Sequence, residues 1–239
     1  MLLTLVAVVA TVWLASTGRL ELYIHPRYTV FTIVMALVAG ALALGALLLL
    51  PGREAHEDDD EAPRGPVARW AAVVTTGLVV VGAVAVLLVA PPGTLSTTGS
   101  RGQNTATLTA VPASSTTTEL VGGDSTSFTV KDWWTLLRDG ADTSDLARMP
   151  ADVTGFVIAT DEPDVYYLAR YLITCCAVDA LPVAVPVYAP GWQDSVAEGD
   201  WLELTGTFRS APDAALSEPL VLMPDAVTPV DEPADPYVY

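Results

Sequence analysis

Three long uncharged apolar runs in the first 90 residues constrain this chain more than any other feature of its sequence. They cover about residues 1–18, 28–50 and 70–90. The second and third are long enough for a helix to cross the hydrocarbon core of a bilayer. The first run is shorter, but it lacks a basic leading segment and a small-residue cleavage site, which favours a retained helix over a signal peptide. The pattern predicts three transmembrane helices, and hence a multi-pass protein of the cell membrane.

The second apolar run contains a stretch of small residues, Ala36 to Ala46. Small side chains let a second helix approach closely, so this stretch is a candidate packing face. The alternative is that these residues are ordinary apolar filler in a membrane helix. Both interpretations fit the sequence.

Charge separates this region from the rest of the chain. Residues 1–90 carry a net charge of −2 and residues 91–239 carry −15, which together give the net charge of −17. Such acidity argues against binding nucleic acid, because phosphate contacts need clustered Lys and Arg. It also argues against docking on an anionic lipid surface. A Thr/Ser-rich linker at 91–118 is typical of exported stalks and places the last domain, 119–239, outside the cytoplasm.

The last domain has the pattern of a small all-β fold preceded by short helices. Residues 130–137 suit a helix with an acid in its first turn, and a second short helix is expected to end before Pro150. Turn signals then separate five strand-like runs. These runs cover 153–160, 165–178, 183–188, 201–209 and 220–227. Five such strands, with a glycine at 206 that lets one strand bend, predict an OB-fold-like five-stranded barrel. The fold alone does not supply a function.

The residues with the most chemistry lie in the block from Arg170 to Asp179, which contains the only two cysteines, Cys175 and Cys176. Neighbouring side chains of a regular strand point to opposite faces, so both thiolates reach one metal only if the strand is interrupted. Three interpretations compete: one thiolate binds a soft metal with Asp179 or a partner's ligands; the pair is a redox or vicinal-disulfide switch; or both are small buried hydrophobic residues.

Two histidines complete the candidate ligands. His25 lies in the hairpin between the first two apolar runs, and His56 precedes five consecutive acids in the next loop. The loop could gather a divalent cation through imidazole and carboxylates, or it could be a solvated acidic segment without fixed geometry. The last domain contains no histidine. Its Cys and His residues alone therefore cannot complete a four-ligand zinc site.

No enzyme signature is present. The chain has no glycine-rich phosphate loop, no nucleophile elbow and no zinc-protease helix motif, and the last domain has no His to activate either thiol. The sequence therefore predicts a protein that is not an enzyme.

Several of these features together resemble the YcgQ-type membrane proteins, a family associated with a two-component permease. The resemblance rests on the His25-Pro26 hairpin, on the entry to the last domain at 128–133, on the block from Arg170 through Cys175-Cys176 to Asp179, and on the closing residues 236–239. It implies an accessory subunit beside a multi-span permease, with a role in zinc handling. Members of the family have a more His-rich second loop, whereas this chain keeps only His56 there.

Two functions follow as hypotheses. The first is a non-catalytic accessory subunit that is held in the bilayer beside a permease and handles a metal, with zinc as the implied ion. Its predicted site comprises Cys175, Cys176 and Asp179, with Arg170, His25 and His56 as supporting residues. The second is a membrane-anchored sensor or scaffold whose acidic β domain binds an exported protein.

Overall fold

The structure is a computed structural model that describes residues 2–49, 74, 78, 82, 124–213 and 216–239. The chain divides into two compact units, Met1–Gly93 and Thr94–Tyr239. The predicted linker at 91–118 and the acidic loop that contains His56 lie outside the described residues.

The described part of the first unit contains two apolar helices. Helix α1 spans Leu2–Ser16 and helix α2 spans Thr29–Leu49. Between them the chain makes two 3₁₀ turns, Arg19–Leu22 and Pro26–Tyr28. The second turn starts with Pro26, a residue favoured in the first turn of a helix because it has no N–H to leave unpaired.

Among the described residues, one helical segment is long and apolar enough to cross a membrane, Pro26–Ala46. It lies near the N-terminus, and a signal sequence has the same properties. The segment at the first predicted span is a shorter apolar helix. The third predicted span lies outside the described residues except for positions 74, 78 and 82, each of which is helical. The described residues therefore support one membrane-capable helix and do not support the predicted multi-pass arrangement.

Of the two interpretations of the small residues in 36–46, helix packing holds at one position, where α1 meets α2. Gly40 is buried, and a Cβ atom placed on it would lie 3.3 Å from Cγ1 of Val8. At Gly45, one turn further on, an added Cβ would meet nothing within 4 Å. Gly40 is therefore a packing residue, whereas Gly45 is not.

Two helices precede the strands of the second unit. Helix α3 spans Val130–Arg138, and its first turn is closed by a capping box in which Thr129 and Asp132 bond to each other's backbone N–H groups. The predicted helix and its acid in the first turn are thus confirmed. The short helix α4, Thr143–Leu146, begins at the Asp142 cap, whose carboxylate accepts the Ser144 N–H at 2.8 Å.

Six strands form one mixed sheet. Their bounds are Pro150–Ala159 (β1), Val165–Leu172 (β2), Leu181–Tyr188 (β3), Trp201–Ser210 (β4), Leu220–Val230 (β5) and Tyr237–Val238 (β6). Their order is β1-β4-β5-β3-β2-β6, and β1 also pairs with β2. Each of the first five strands therefore has two neighbours among those five. The β3–β5 and β2–β6 pairs are parallel, and the others are antiparallel.

Two glycines mark places where strands approach too closely for a side chain. At Gly206 the β4–β5 register shifts, and an added Cβ would clash with the Met223 carbonyl. This irregularity is the bend that the sequence predicts in this strand. At Gly155 an added Cβ would lie 2.6 Å from the Ala169 carbonyl oxygen.

The core of the second unit lies between α3 and the sheet. Trp133 of α3 is completely buried, and its ring centroid lies 4.8 Å from that of Phe208 on β4. The same core contains fully buried leucines, namely Leu136, Leu146, Leu168, Leu202, Leu204 and Leu222. The alternation of buried and exposed residues on β4 follows the period of a strand with one face in this core.

The structure corrects the predicted strands in two places. The sequence predicts one strand over 165–178, but β2 ends at Leu172 and the cysteines lie beyond it. It predicts five strands, and the two-residue strand β6 is a sixth. The first correction changes the geometry of both thiols.

Candidate functional site

The two cysteines lie on a turn that connects β2 to β3. After Leu172, the Ile173 N–H donates to the Val238 carbonyl of β6 at 3.0 Å. Residues 174–179, called the thiol turn below, then bend away and finish in the 3₁₀ turn Ala177–Asp179. Cys176 itself keeps an extended backbone, with φ −156° and ψ 169°, whereas a bend precedes it at 174 and 175 and the 3₁₀ turn follows it. The thiol turn therefore departs from a regular strand on both sides of Cys176.

The carboxylate of Asp179 organises the thiol turn. Its Oδ2 accepts the Thr174 hydroxyl at 2.6 Å and the Cys175 N–H at 2.8 Å, while Oδ1 accepts the Cys176 N–H at 3.1 Å. The Asp179 N–H in turn donates to the Cys176 carbonyl at 3.0 Å. A short polar side chain that binds nearby backbone N–H groups competes with the sheet ladder, and this accounts for the end of β2 before the cysteines.

These bonds also set the protonation behaviour of Asp179. Desolvation raises the pKa of its carboxyl group, but the bonds from the Thr174 hydroxyl and from the N–H groups of Cys176, Cys175 and Thr174 outweigh it. The net effect is a pKa below its ordinary value of 3.8. The carboxylate is therefore ionised at neutral pH and holds both cysteine N–H groups.

Neither thiol lies in the core. Cys175 is exposed, Cys176 is half-buried, and no disulfide joins them. Val178, at the tip of the thiol turn, is 95% exposed. The thiol turn therefore exposes an apolar side chain two residues after the second cysteine, on a domain whose surface is otherwise acidic. The interpretation of the cysteines as buried hydrophobic residues does not fit this placement.

The structure places the carboxylate of Asp179 against the backbone N–H groups of Cys175 and Cys176, and the predicted metal site of these three residues stays a prediction. Both oxygens of Asp179 accept hydrogen bonds from the turn, so it acts as an organiser of the backbone around the thiols. Among the described residues, no group of three or more His, Cys, Asp or Glu side chains is placed to hold a metal ion. A zinc ion with four ligands would need groups beyond those of the thiol turn.

Arg170 holds a different segment. From β2 its Nε donates to the Pro236 carbonyl at 3.0 Å, and Nη2 donates to the Asp235 and Tyr237 carbonyls. The guanidinium also lies over the Trp201 ring, 5.5 Å from its centroid. Burial lowers the pKa of Arg170, and the nearby Asp235 opposes that shift. Arg170 thus fixes residues 235–237 against β2.

Of the two histidines that the sequence predicts as supporting residues, the structure describes one. Nδ1 of His25 accepts the Arg27 N–H at 3.2 Å and caps the 3₁₀ turn before α2. His56 lies outside the described residues. Their supporting role at a metal site stays a prediction.

A polar cluster that the sequence did not reveal lies at the opposite end of β2. Tyr167 Oη donates to Glu218 Oε1 at 2.5 Å, and Glu162 Oε1 accepts the Ser217 N–H at 2.9 Å. Burial, followed by the bond to Glu218, raises the pKa of Tyr167. The cluster borders a pocket of about 310 Å³ lined by Thr160, Asp161, Glu162, Val165, Tyr167, Ser217 and Glu218. The hydrogen-bonded residues of this cluster are far apart in sequence, so no local sequence motif predicts the cluster.

Two participants in the thiol turn were also missed. Thr174 donates to Asp179 from five residues earlier, and Val178 forms the exposed tip. The available signal was a Thr and an Asp flanking a short segment, a pairing that often closes a turn.

Comparison with known proteins assigns a family likeness to part of the chain. Residues 144–239, less than half of the sequence, match the family described as the DUF1980 C-terminal domain. This stretch contains all six strands and the thiol turn. No curated protein matches the chain.

Several solved structures share a limited resemblance. "OBody AM3L09 bound to hen egg-white lysozyme" has 15% identity and a TM-score of 0.26, over 37% of this chain and 88% of that one. "OBody AM2EP06 bound to hen egg-white lysozyme" has 14% identity and a TM-score of 0.23, over 34% and 80%. "Crystal structure of S. pombe Stn1-ten1 complex" has 13% identity and a TM-score of 0.22, over 36% and 61%. At these TM-scores, none of the three supports a statement about fold or function.

Proposed function

We propose that this chain is a non-catalytic accessory subunit of a membrane permease and that it handles a transition metal at its thiol turn. The observation that carries the proposal is the presentation of Cys175 and Cys176 on an ordered, exposed turn, with the apolar tip Val178 beside them. Thiolates are the side chains that soft metals prefer. An exposed apolar residue next to them offers a partner a contact that a purely acidic surface does not.

The resemblance to the YcgQ-type proteins supplies the permease as partner and zinc as the implied metal. The family likeness of residues 144–239 is compatible with that assignment, because it covers the thiol turn. Zinc would take its remaining ligands from the partner or from residues outside the thiol turn, since two thiolates leave a tetrahedral site half filled.

The proposal includes an arrangement in the membrane. The apolar segment Pro26–Ala46, with α1 packed beside α2 and the predicted span at 70–90, anchors the protein in the bilayer as a multi-pass chain. The β domain lies on the extracytoplasmic side. Its first five strands close into an OB-fold-like barrel. The pairing of β1 with β2 supports this closure because it joins the two ends of the five-strand order β1-β4-β5-β3-β2.

A binding role fits the thiol turn better than catalysis. A nucleophilic thiol needs a base to take its proton. The carboxylate nearest in sequence, that of Asp179, already accepts hydrogen bonds from Thr174, Cys175 and Cys176. A group held in this way keeps the backbone in place rather than accepting protons from a reacting thiol.

Copurification tests the proposal. The tagged full-length chain is isolated from native membranes in mild detergent, beside the Cys175→Ser/Cys176→Ser variant, and the partners and bound metals of both are measured. We expect a multi-span permease with both chains and a transition metal only with wild type. Recovery without a permease would contradict the accessory role, and equal metal content in both proteins would contradict metal handling at the thiols.

The second candidate is a sensor or scaffold for an exported protein. The exposed tip at Val178 on a domain of strong negative charge favours it, since such a surface suits a basic protein with an apolar contact point. The same isolation distinguishes the two functions, because a soluble exported partner in place of the permease supports the scaffold.

A further inference from the structure

We propose that Cys175 and Cys176 together bind a soft monovalent cation of the Cu(I) class, which two thiolates from one turn are sufficient to hold. The inference rests on the proposed metal-handling function and goes further by naming the class of cation. It depends on three features of the thiol turn: the direction of its backbone, the number of its ligands and the exposure of its sulfurs.

The backbone direction allows the two thiols to converge. In a strand, successive N–H groups point to opposite sides, and so do successive side chains. Here the N–H groups of Cys175 and Cys176 both point to the Asp179 carboxylate, at 2.8 Å and 3.1 Å. Two successive N–H groups on the same side are not the pattern of a regular strand, so the bend at Cys175 interrupts the alternation, although Cys176 itself is extended. Strand alternation therefore does not prevent the two thiolates from binding one metal ion.

The number of ligands selects the cation. The thiol turn offers two sulfurs, and the described part of the chain assembles no set of three His, Cys, Asp or Glu side chains for a metal. The oxygens of Asp179 are held by the turn itself. Zinc in proteins takes four ligands. Cu(I) prefers soft thiolate ligands, and two of them in a near-linear arrangement can complete its coordination. A pair of adjacent thiols thus suits Cu(I) better than zinc.

The exposure of the sulfurs suits a site that transfers its ion. Cys175 is exposed and Cys176 is half-buried, so another protein's thiolate can attack the bound ion. Binding converts two thiols and one Cu(I) ion into a bis-thiolate complex and releases two protons to water, with no change in oxidation state. The Asp179 anion is close, but its charge is offset by the three hydrogen bonds that it accepts.

The test is a competition for Cu(I). The full-length chain, reduced and held in detergent without oxygen, is titrated against a chromogenic Cu(I) chelator, beside Cys175→Ser, Cys176→Ser, the double variant and Asp142→Asn as a control. Asp142 organises a comparable cap at α4, away from the thiols in sequence.

We expect one Cu(I) per wild-type chain. Each single Ser variant should lose about a hundredfold or more in affinity, since a lost ligand costs more than a lost supporting residue. The control should bind like wild type.

A trivalent arsenical, which bridges two neighbouring thiols, tests their convergence without copper. We expect it to bind wild type and neither single variant, while circular dichroism verifies that all variants are folded.

Cu(I) bound equally by a single Ser variant and by wild type would overturn the two-thiolate site. Zinc bound stoichiometrically with no preference for Cu(I) would overturn the cation class. Copurification with a permease would in either case leave the accessory function standing, so the two failures are distinguishable.

Discussion

Asp179 is the residue on which the geometry of both thiols depends. Its carboxylate accepts bonds from Thr174, Cys175 and Cys176, and these bonds lower its pKa. A carboxyl group whose pKa is lower in the folded state stabilises that state above its unfolded pKa. The stabilisation is lost as the pH falls through the folded value. The order of the thiol turn should therefore be pH-dependent only in the acid range.

The first prediction concerns the Asp179→Asn variant. We expect it to lose about 0.5–1 kcal/mol of unfolding free energy, a small value because the group is largely solvated. Amide hydrogen exchange at Cys175 and Cys176 should become about twofold to fivefold faster. Asp142→Asn serves as the matched control, because Asp142 caps α4 and should leave these two amides unchanged. Equal exchange in wild type and Asp179→Asn would show that the carboxylate does not order the turn.

The second prediction concerns Arg170. Replacing it with Ala removes the bonds to the carbonyls of residues 235–237 and should cost about 2–3 kcal/mol of unfolding free energy. Lys at this position keeps the charge but not the planar fork, so its cost should be intermediate. Urea unfolding measures both. Arg209→Ala is the control, because Arg209 is exposed on β4 and its Nε donates to the Thr207 hydroxyl in a long bond of 3.4 Å. Its cost should stay within about 0.5 kcal/mol. A similar loss for Arg170→Ala and Arg209→Ala would contradict the role of Arg170.

At this scale the sequence identifies the candidate residues but not their tasks. Cys175, Cys176 and Asp179 are recognisable from their types and spacing. The exposure of the thiols is not, because cysteines outside disulfides are usually buried in proteins. Arg170 is close to the cysteines in sequence and is predicted to support them, yet it binds carbonyls of residues 66 and 67 positions later, which no local pattern encodes.

At the scale of elements, the helix and strand starts follow from the sequence better than their ends. The acid in its first turn, Asp132, predicts α3, and the turn signals at 161–164 and 198–200 precede β2 and β4. The end of β2 is not predicted, because the residues from 171 to 178 are apolar apart from Thr174 and contain neither Gly nor Pro. The strand ends where Asp179 takes the N–H groups that a ladder would use.

Strand β6 could not be predicted from the sequence, because contacts with distant residues hold it in place. It has two residues, Tyr237–Val238, and follows a proline. A segment this short carries no periodic pattern, and it is held by Arg170 and by pairing with β2 rather than by its own propensity.

The third prediction concerns the bend in β4. Gly206→Ala places a methyl group against the Met223 carbonyl of β5 and should cost about 2–4 kcal/mol of unfolding free energy, because backbone must shift to make room. Thr205→Ala, at the exposed neighbouring position, is the control and should cost less than about 1 kcal/mol. Thermal and urea unfolding of the two variants give the comparison. If Gly206→Ala were as stable as Thr205→Ala, the close approach of β4 and β5 at this point would be wrong.

At the scale of the whole molecule, the proposed arrangement makes the two cysteines a reporter of topology. They are the only cysteines in the chain, so a thiol reagent labels these sites alone. The fourth prediction is that a membrane-impermeant maleimide labels Cys175 on intact cells after treatment with an impermeant reductant. The Cys175→Ser variant controls for labelling at Cys176. Labelling that requires permeabilised cells would place the β domain in the cytoplasm.

The most direct test of the central claim is photo-crosslinking from the tip of the thiol turn in native membranes. A photoreactive amino acid replaces Val178, which is 95% exposed, and in a control chain it replaces Ser210, which is also exposed but lies at the end of β4. An accessory subunit predicts that position 178 forms an adduct with a multi-span membrane protein and that position 210 does not. An adduct with a soluble exported protein, or the same adducts from both positions, would contradict the account.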